Sequence, residues 1–237
     1  MLSMATQAAE IPVPALLVVD MQVDFISGSL AVPDGQSLLE PINEIIDLPF
    51  KCRYASKDFH PPGHVSFAST HGKRPFEKIT IYPPRTLLEQ TAGDVSAINE
   101  LGLEQVLWPD HCVQGTSGAE FIPGLHADML DETIYKGMDS GVECYSAFKE
   151  PWSLRSTNLE RLLRDNGVTD LYIVGVAGDY CVKASAIDAA NLKAFNTWVV
   201  TDGIRSVSSE GKEWEAMRSA GVGIIDTASL KMRLQGK

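Results

Sequence analysis

Residues 171–190 read LYIVGVAGDYCVKASAIDAA. The run Leu171–Val176 is apolar and β-branched, with no polar alternation, as expected of a strand covered on both faces. Glycines then mark a tight turn, and the Ala-rich stretch Ala184–Leu192 has the character of a helix. A strand, a short turn and a helix make half of a βαβ unit, and the rest of the chain repeats the theme. Continuous apolar runs at Leu16–Val19, Thr197–Val200 and Gly223–Ile225 are further strands, with weaker candidates at Arg53–Ser56 and Thr133–Tyr135. Helical spacing of apolar residues occurs at Leu38–Ile46, at Leu159–Arg164 before Asn166-Gly167, and at Glu213–Ala220 before Gly221. Strands alternating with helices, without hairpin signals between them, predict an α/β fold with a parallel sheet covered on both faces. Ligands of such sheets bind beyond the carboxyl ends of the strands, where strand order reverses.

Composition narrows the function. The 237 residues are enough for one domain with a full core, taken here as residues 1–237, with 1–12 expected to be flexible. Twenty Lys and Arg against 31 Asp and Glu give a formal charge of -11. That balance argues against a phosphate-backbone binder, hence no nucleic acid, and equally against an anionic membrane surface. No apolar run reaches the length of a membrane span, and the opening MLSMATQAAE has neither the basic start nor the apolar core of a secretory signal. The four cysteines are scattered without a CxxC pair, so reduced thiols and a cytoplasmic location are expected. Residues 61–124 break the rhythm: they are rich in Pro, Gly and His and irregular, as in a lid or a metal-binding excursion.

Chemistry-bearing residues gather at predicted strand ends. Asp20 closes the first strand in VVDMQVDF, where a partly desolvated carboxylate has a tunable pKa, although Asp there also serves as a simple turn cap. Cys181 falls at the first turn of a helix, where free N–H groups favour an anion, so a thiol of lowered pKa and an adjacent oxyanion site are expected. Lys136 ends the strand in ETIYK; alone, such a lysine is ordinarily a solvated one. Asp58 and His60 share one side of an extended segment, and His111 lies in WPDHC. One carboxylate and two imidazoles are the usual donor set of a catalytic divalent site, most often Zn, with Fe or Mn as alternatives. His64 is a candidate fourth ligand, His71 a weaker one, and His126 stands apart. Cys52, Cys112 and Cys144 are expected to be packing residues.

Taken together, VVDMQVDFI, SKDFHPPGHVSFA, WPDHCVQGT, YKG…YSAF and GVAGDYCV resemble the isochorismatase-like hydrolase superfamily, and within it the nicotinamidases, from about Ala15 to Asp226. The resemblance implies a three-layer α/β/α fold with a mostly parallel central sheet. It implies a catalytic Asp20, Lys136 and Cys181, metal ligands Asp58, His60 and His111, and a cis peptide before Ala177 that makes the Ala177 and Cys181 N–H groups an oxyanion hole. Ring-contacting residues of the family correspond to Phe25, Leu30, Trp108 and Tyr145. The implied activity is hydrolysis of nicotinamide to nicotinate and ammonia through a Cys thioester, as in NAD salvage, with pyrazinamide-like carboxamides fitting the same pocket. Two departures stand out: Lys73–Leu107 is long, and His64 matches a position that is a ligand in only some members.

The rival within the superfamily is an amidohydrolase of carbamoyl or ureido substrates. Such relatives keep Asp, Lys and Cys but generally lack the metal set, so Asp58, His60 and His111 favour the nicotinamidase. Isochorismate-type vinyl ether hydrolysis does not need the Cys, and a dead binding module would not need all three catalytic positions filled.

Overall fold

A computed structural model describes residues 11–90 and 100–235 of the chain; of the expected flexible segment 1–12, residues 1–10 lie outside the described residues. The strands are β1 (Pro14–Val19), β2 (Cys52–Asp58), β3 (Lys78–Ile81), β4 (Leu103–Val106), β5 (Glu132–Lys136), β6 (Asp170–Gly175), β7 (Asn196–Ile204) and β8 (Gly223–Ile225). The helices are α1 (Val23–Ile26), α2 (Leu39–Ile46), α3 (Arg85–Gln90), α4 (Leu159–Asp165), α5 (Lys183–Asn191), α6 (Lys212–Ser219) and α7 (Thr227–Leu234). A six-stranded sheet has the order β5-β2-β1-β6-β7-β8, and all of its pairings are parallel.

Side-chain alternation along the buried strands builds two cores. Ala15, Leu17 and Val19 face Leu159 and Leu163 of α4, Ala186 and Ala189 of α5 and Met217 of α6. Leu16 and Val18 face Phe25 and Ile26 of α1, Ile42, Ile45 and Ile46 of α2 and Leu230 of α7. Both faces of β1 are therefore fully covered, which is why its sequence is a continuous apolar run rather than an alternating one. The result is the expected α/β/α layering. Close approach of β1 and β6 needs Gly175: a Cβ there would sit 2.0 Å from the Val19 carbonyl oxygen.

Strand order reverses beside β1, since β2 and β5 lie to one side and β6 to the other. The carboxyl ends of β1, β2, β5 and β6 thus open onto one crevice, as expected at a topological switch point.

Several elements were not expected from the sequence. Within residues 61–124, β3 and β4 form a separate antiparallel pair, and α3 follows β3. Each strand has only four residues and β3 alternates exposed with more buried positions (Lys78 and Thr80 against Ile79 and Ile81), too short a period to stand out in an irregular segment. The C-terminal α7 went unread; its start is fixed by Asp226, whose side chain accepts the Ser229 N–H. Among the described residues no helix is long and apolar enough to cross a membrane.

Candidate active site

Sheet register brings the first three groups to one level. Val19 pairs with Ser56, and Asp58 pairs directly with Lys136, so the residues ending β1, β2 and β5 meet at the crevice. Asp20 has a left-handed backbone, φ 51°, unusual for a residue with a Cβ and concentrated at functional sites. Its N–H donates to the Ser56 carbonyl at 3.2 Å, and its own carbonyl accepts the Gln22 N–H at 2.7 Å, so the turn is pinned on both sides.

Lys136 is the hub. Its ammonium is fully buried, 2.8 Å from Asp20 Oδ2, 3.4 Å from Cys181 Sγ, and in a short hydrogen bond with Asp58 Oδ1. One oxygen each of Asp20 and Asp58 and the Cys181 sulfur lie within 4.8 Å of one another. Asp20 Oδ1 accepts the Ser56 hydroxyl at 2.7 Å, whereas Oδ2 is held by the ion pair alone. Burial pushes the Asp20 carboxyl above its ordinary value despite Lys136. Burial also raises Asp58, but the Lys136 ammonium and the neighbouring His60 and His111 outweigh it and hold that carboxyl below the usual range. Burial disfavours the Lys136 cation, yet the two carboxylates hold it charged well past neutrality.

The expected lowered pKa of Cys181 is not what the structure has. Burial pushes the thiol well above its ordinary value, only partly offset by Lys136. The first turn does lie at the end of β6, as a π-turn over Gly178–Val182 leading into α5, but the sulfur is sealed from solvent, and desolvation of the thiolate outweighs the helix-end field. The Val176–Ala177 peptide is cis. The Ala177 N–H donates to no acceptor among the described residues, and Ala177 and Cys181 line the same small cavity.

Asp58, His60 and His111 converge: His60 Nε2 is 3.6 Å and His111 Nε2 3.9 Å from Asp58 Oδ2. Each imidazole gives its Nδ1 to a backbone carbonyl, His60 to Gly137 and His111 to Pro109, both at 2.8 Å. Those bonds fix the Nδ1–H tautomer and leave the Nε2 lone pairs aimed at the carboxylate. His60 Nε2 is a buried nitrogen without a hydrogen-bond partner, which suits a cation between the three groups. His111 is turned inward by Cys112, whose φ is 47° and whose N–H donates to Asp24 Oδ2 at 2.7 Å.

His64 stacks on His60 with ring centroids 4.0 Å apart, but its nitrogens are occupied by Ser66 Oγ at 2.8 Å and the Val142 carbonyl at 3.1 Å. A second grouping of His60, His64 and Glu143 is close enough for a cation, yet both nitrogens of His64 already meet Ser66 and Val142. His71 is exposed and bonded to the Val65 carbonyl, and His126 pairs with Asp47 at the surface. Cys52, Cys112 and Cys144 are buried and unpaired.

Phe25, Leu30, Trp108 and Tyr145 all line the cavity over Cys181, together with Val32, Tyr180 and Val207. Its volume is about 20 Å³, little more than room for a water. A larger hollow of about 590 Å³ lies against the outer edge of β5 and contains neither Asp20 nor Cys181. Several site residues went unread in the sequence. Gln22 clamps the metal-side strand, donating to the Asp58 carbonyl at 2.7 Å and accepting the Asp58 N–H at 2.8 Å. Ser56 had a signal, because it shares a strand face with Asp58.

A buried Asp–Lys–Cys cluster at the switch point of a parallel sheet, with a donor set beside it, defines a cysteine hydrolase. Residues 86–229 match the Isochorismatase domain family model, and the chain belongs to that family. Among characterised members it is similar to the nicotinamidase of Escherichia coli, 38% identical over 85% of this chain and 87% of that protein. The crystal structure of a yeast nicotinamidase bound to the inhibitor nicotinaldehyde superimposes with a TM-score of 0.81 at 33% identity, covering 90% of this chain and all of that one. A pyrazinamidase of Pyrococcus horikoshii in complex with zinc gives 0.67 at 33% identity, over 91% and 99%.

Proposed function

We propose that the protein hydrolyses nicotinamide to nicotinate and ammonia through a thioester on Cys181, the whole chain acting as one hydrolase unit. The observation that carries this reading is the buried contact of Lys136 with Asp20, Asp58 and Cys181, which joins a nucleophile, a base and a metal-ligand carboxylate in one cluster.

With both the thiol and Asp20 raised by burial, the resting nucleophile is protonated and the base is stronger than an ordinary carboxylate. Asp20 Oδ2 takes the Cys181 proton, and Lys136 keeps the thiolate and the carboxylates compatible. The sulfur attacks the carboxamide carbon, and the oxyanion is received by the Ala177 and Cys181 N–H groups. Asp20 returns the proton to nitrogen as the C–N bond breaks, releasing ammonia. Water then attacks the thioester with Asp20 as base, freeing the carboxylic acid and restoring the thiol. Phe25 and Trp108 flank the ring, with Leu30 and Tyr145 completing the wall. A divalent ion held by Asp58, His60 and His111, zinc first with iron or manganese as alternatives, would supply a Lewis-acid contact for the pyridine nitrogen.

The test is ammonia release from nicotinamide by wild type, by Cys181→Ala, and by chelated and metal-restored protein. Loss in the variant and on chelation, with recovery on metal addition, is expected. No release from metal-loaded wild type whose thiol still reacts would refute the substrate and turn attention to carbamoyl and ureido amides.

A further inference from the structure

The antiparallel β3–β4 pair touches the site through one side chain. On β4, Leu103 and Glu104 are exposed, but Gln105 is 3% exposed and points inward. Its Nε2 donates to the Val106 carbonyl at 2.6 Å and to Tyr145 Oη at 2.8 Å, and lies 3.3 Å from Glu143 Oε2. The orientation of this amide follows from its partners: a carbonyl and a carboxylate can only accept, so the NH2 end must face them. Trp108 Nε1, which is a donor only, reaches the same Tyr145 oxygen at 3.1 Å.

A phenol oxygen has two acceptor sites, and two obligate donors fill them. The hydroxyl proton of Tyr145 must therefore point elsewhere, and no acceptor among the described residues takes it. Tyr145 and Trp108 both line the cavity over Cys181.

We propose that Gln105 sets the polarity of the Tyr145 hydroxyl, making it a donor to whatever occupies the cavity, and so acts as a positioning residue for specificity. A primary carboxamide has one acceptor edge, C=O, and one donor edge, NH2. A donor-only phenol accommodates an acceptor of the ligand and rejects the NH2 edge, which limits the ways an aromatic amide can lie over Cys181. Aromatic ligands that present only donors at Tyr145 are excluded for the same reason. In its substrate arm this rests on the nicotinamide reading; in its spectroscopic arm it does not.

The variant is Gln105→Met, of similar size and without a donor, made alone and with Tyr145→Phe. In the tyrosine Raman doublet, the difference between wild type and Tyr145→Phe isolates the Tyr145 phenol; an acceptor-type pattern is expected, shifting toward donor type in Gln105→Met. An unchanged pattern overturns the proposal. If Gln105→Met fails to fold, Trp108→Phe removes the other donor and is judged by the same shift. In the ammonia assay, Gln105→Met should lower kcat/KM about fivefold to tenfold with Tyr145 present and less than about twofold in the Tyr145→Phe background. Equal losses in both backgrounds mean that Gln105 acts only structurally, and overturn it. Wild type inactive on nicotinamide would count against the substrate, leaving the Raman arm to decide the role of Gln105.

Discussion

Replacing Lys136 by Met tests the electrostatic logic of the cluster. The ammonium is fully buried between Asp20, at 2.8 Å, and Asp58. At 2.8 Å and an effective dielectric of about 20, the Asp20 attraction alone is about 6 kcal/mol before the cost of desolvating the ions. Removing one partner of a buried ion pair typically costs about 3–5 kcal/mol net, because the charge left behind is uncompensated. Here two carboxylates are left, within 4.8 Å of each other. The variant should therefore be about 4 kcal/mol less stable at pH 7, a fall in Tm of about 8–16 °C for a chain of this size. The pH dependence follows from Asp20. Burial already raises its carboxyl against the pull of Lys136, and removing the ammonium raises it further. A raised carboxyl means that the folded state keeps a proton the unfolded chain has released, so stability declines as pH rises through that window. The gap from wild type should narrow on acidification, by up to about 1.4 kcal/mol per pH unit for each proton taken up. Urea unfolding of chelated wild type and Lys136→Met at pH 7 and pH 5 measures this. A gap that is absent, or the same at both pH values, would refute the reasoning.

Cys181→Ala should lower ammonia release by at least about a thousandfold while metal content, read by elemental analysis, stays at the wild-type level. Gly137→Ala should lower metal affinity about tenfold or more by competition with a chromophoric chelator, since its Cβ would fall 2.3 Å from His60 Cε1 at a backbone φ of +63°. Burial and the neighbouring His60 lower His64 to about 4, from an ordinary 6.5. Between those values the unfolded state binds a proton the folded state refuses, so stability present above pH 6.5 is lost as pH falls, by about 3 kcal/mol at pH 4. Urea titrations of chelated wild type and His64→Gln should diverge across that window; parallel curves would remove His64 as the cause.

The parts of the site that ride on strand ends were legible because a parallel sheet converts position in the chain into position in space. Asp20 and Lys136 stand at the end of apolar or β-branched runs and Asp58 just beyond a weaker one, and register sets them side by side. What depends on closure of the whole molecule was not legible. The raised thiol of Cys181 reflects burial by residues from several elements, whereas the helix-end field that lowers a thiol belongs to its own turn alone. His64 sits among the same aromatic rings as His60 and differs only in what its nitrogens meet, Ser66 and Val142, neither of which carries a metal signature. Gln105 was invisible for a similar reason: a lone glutamine in a short, half-exposed strand has no pattern until Tyr145 and Glu143 are folded against it.

The parallel register also bears on how activity is acquired. Lys136 meets Asp58 across 78 residues of chain, Cys181 across 45, and Ser56 meets Asp20 across 36. Each of these contacts joins residues far apart in sequence, and parallel strands cannot pair through a tight hairpin, so the cluster has no local precursor. A nascent chain holding only the first four strands contains a carboxylate pair without its cation, a state that favours waiting over premature collapse around the crevice. Competence should then appear in one step, when β5 and β6 dock on the β1–β2 pair. In a refolding time course, recovery of ammonia release should coincide with the final, sheet-forming phase rather than with the early gain of helix.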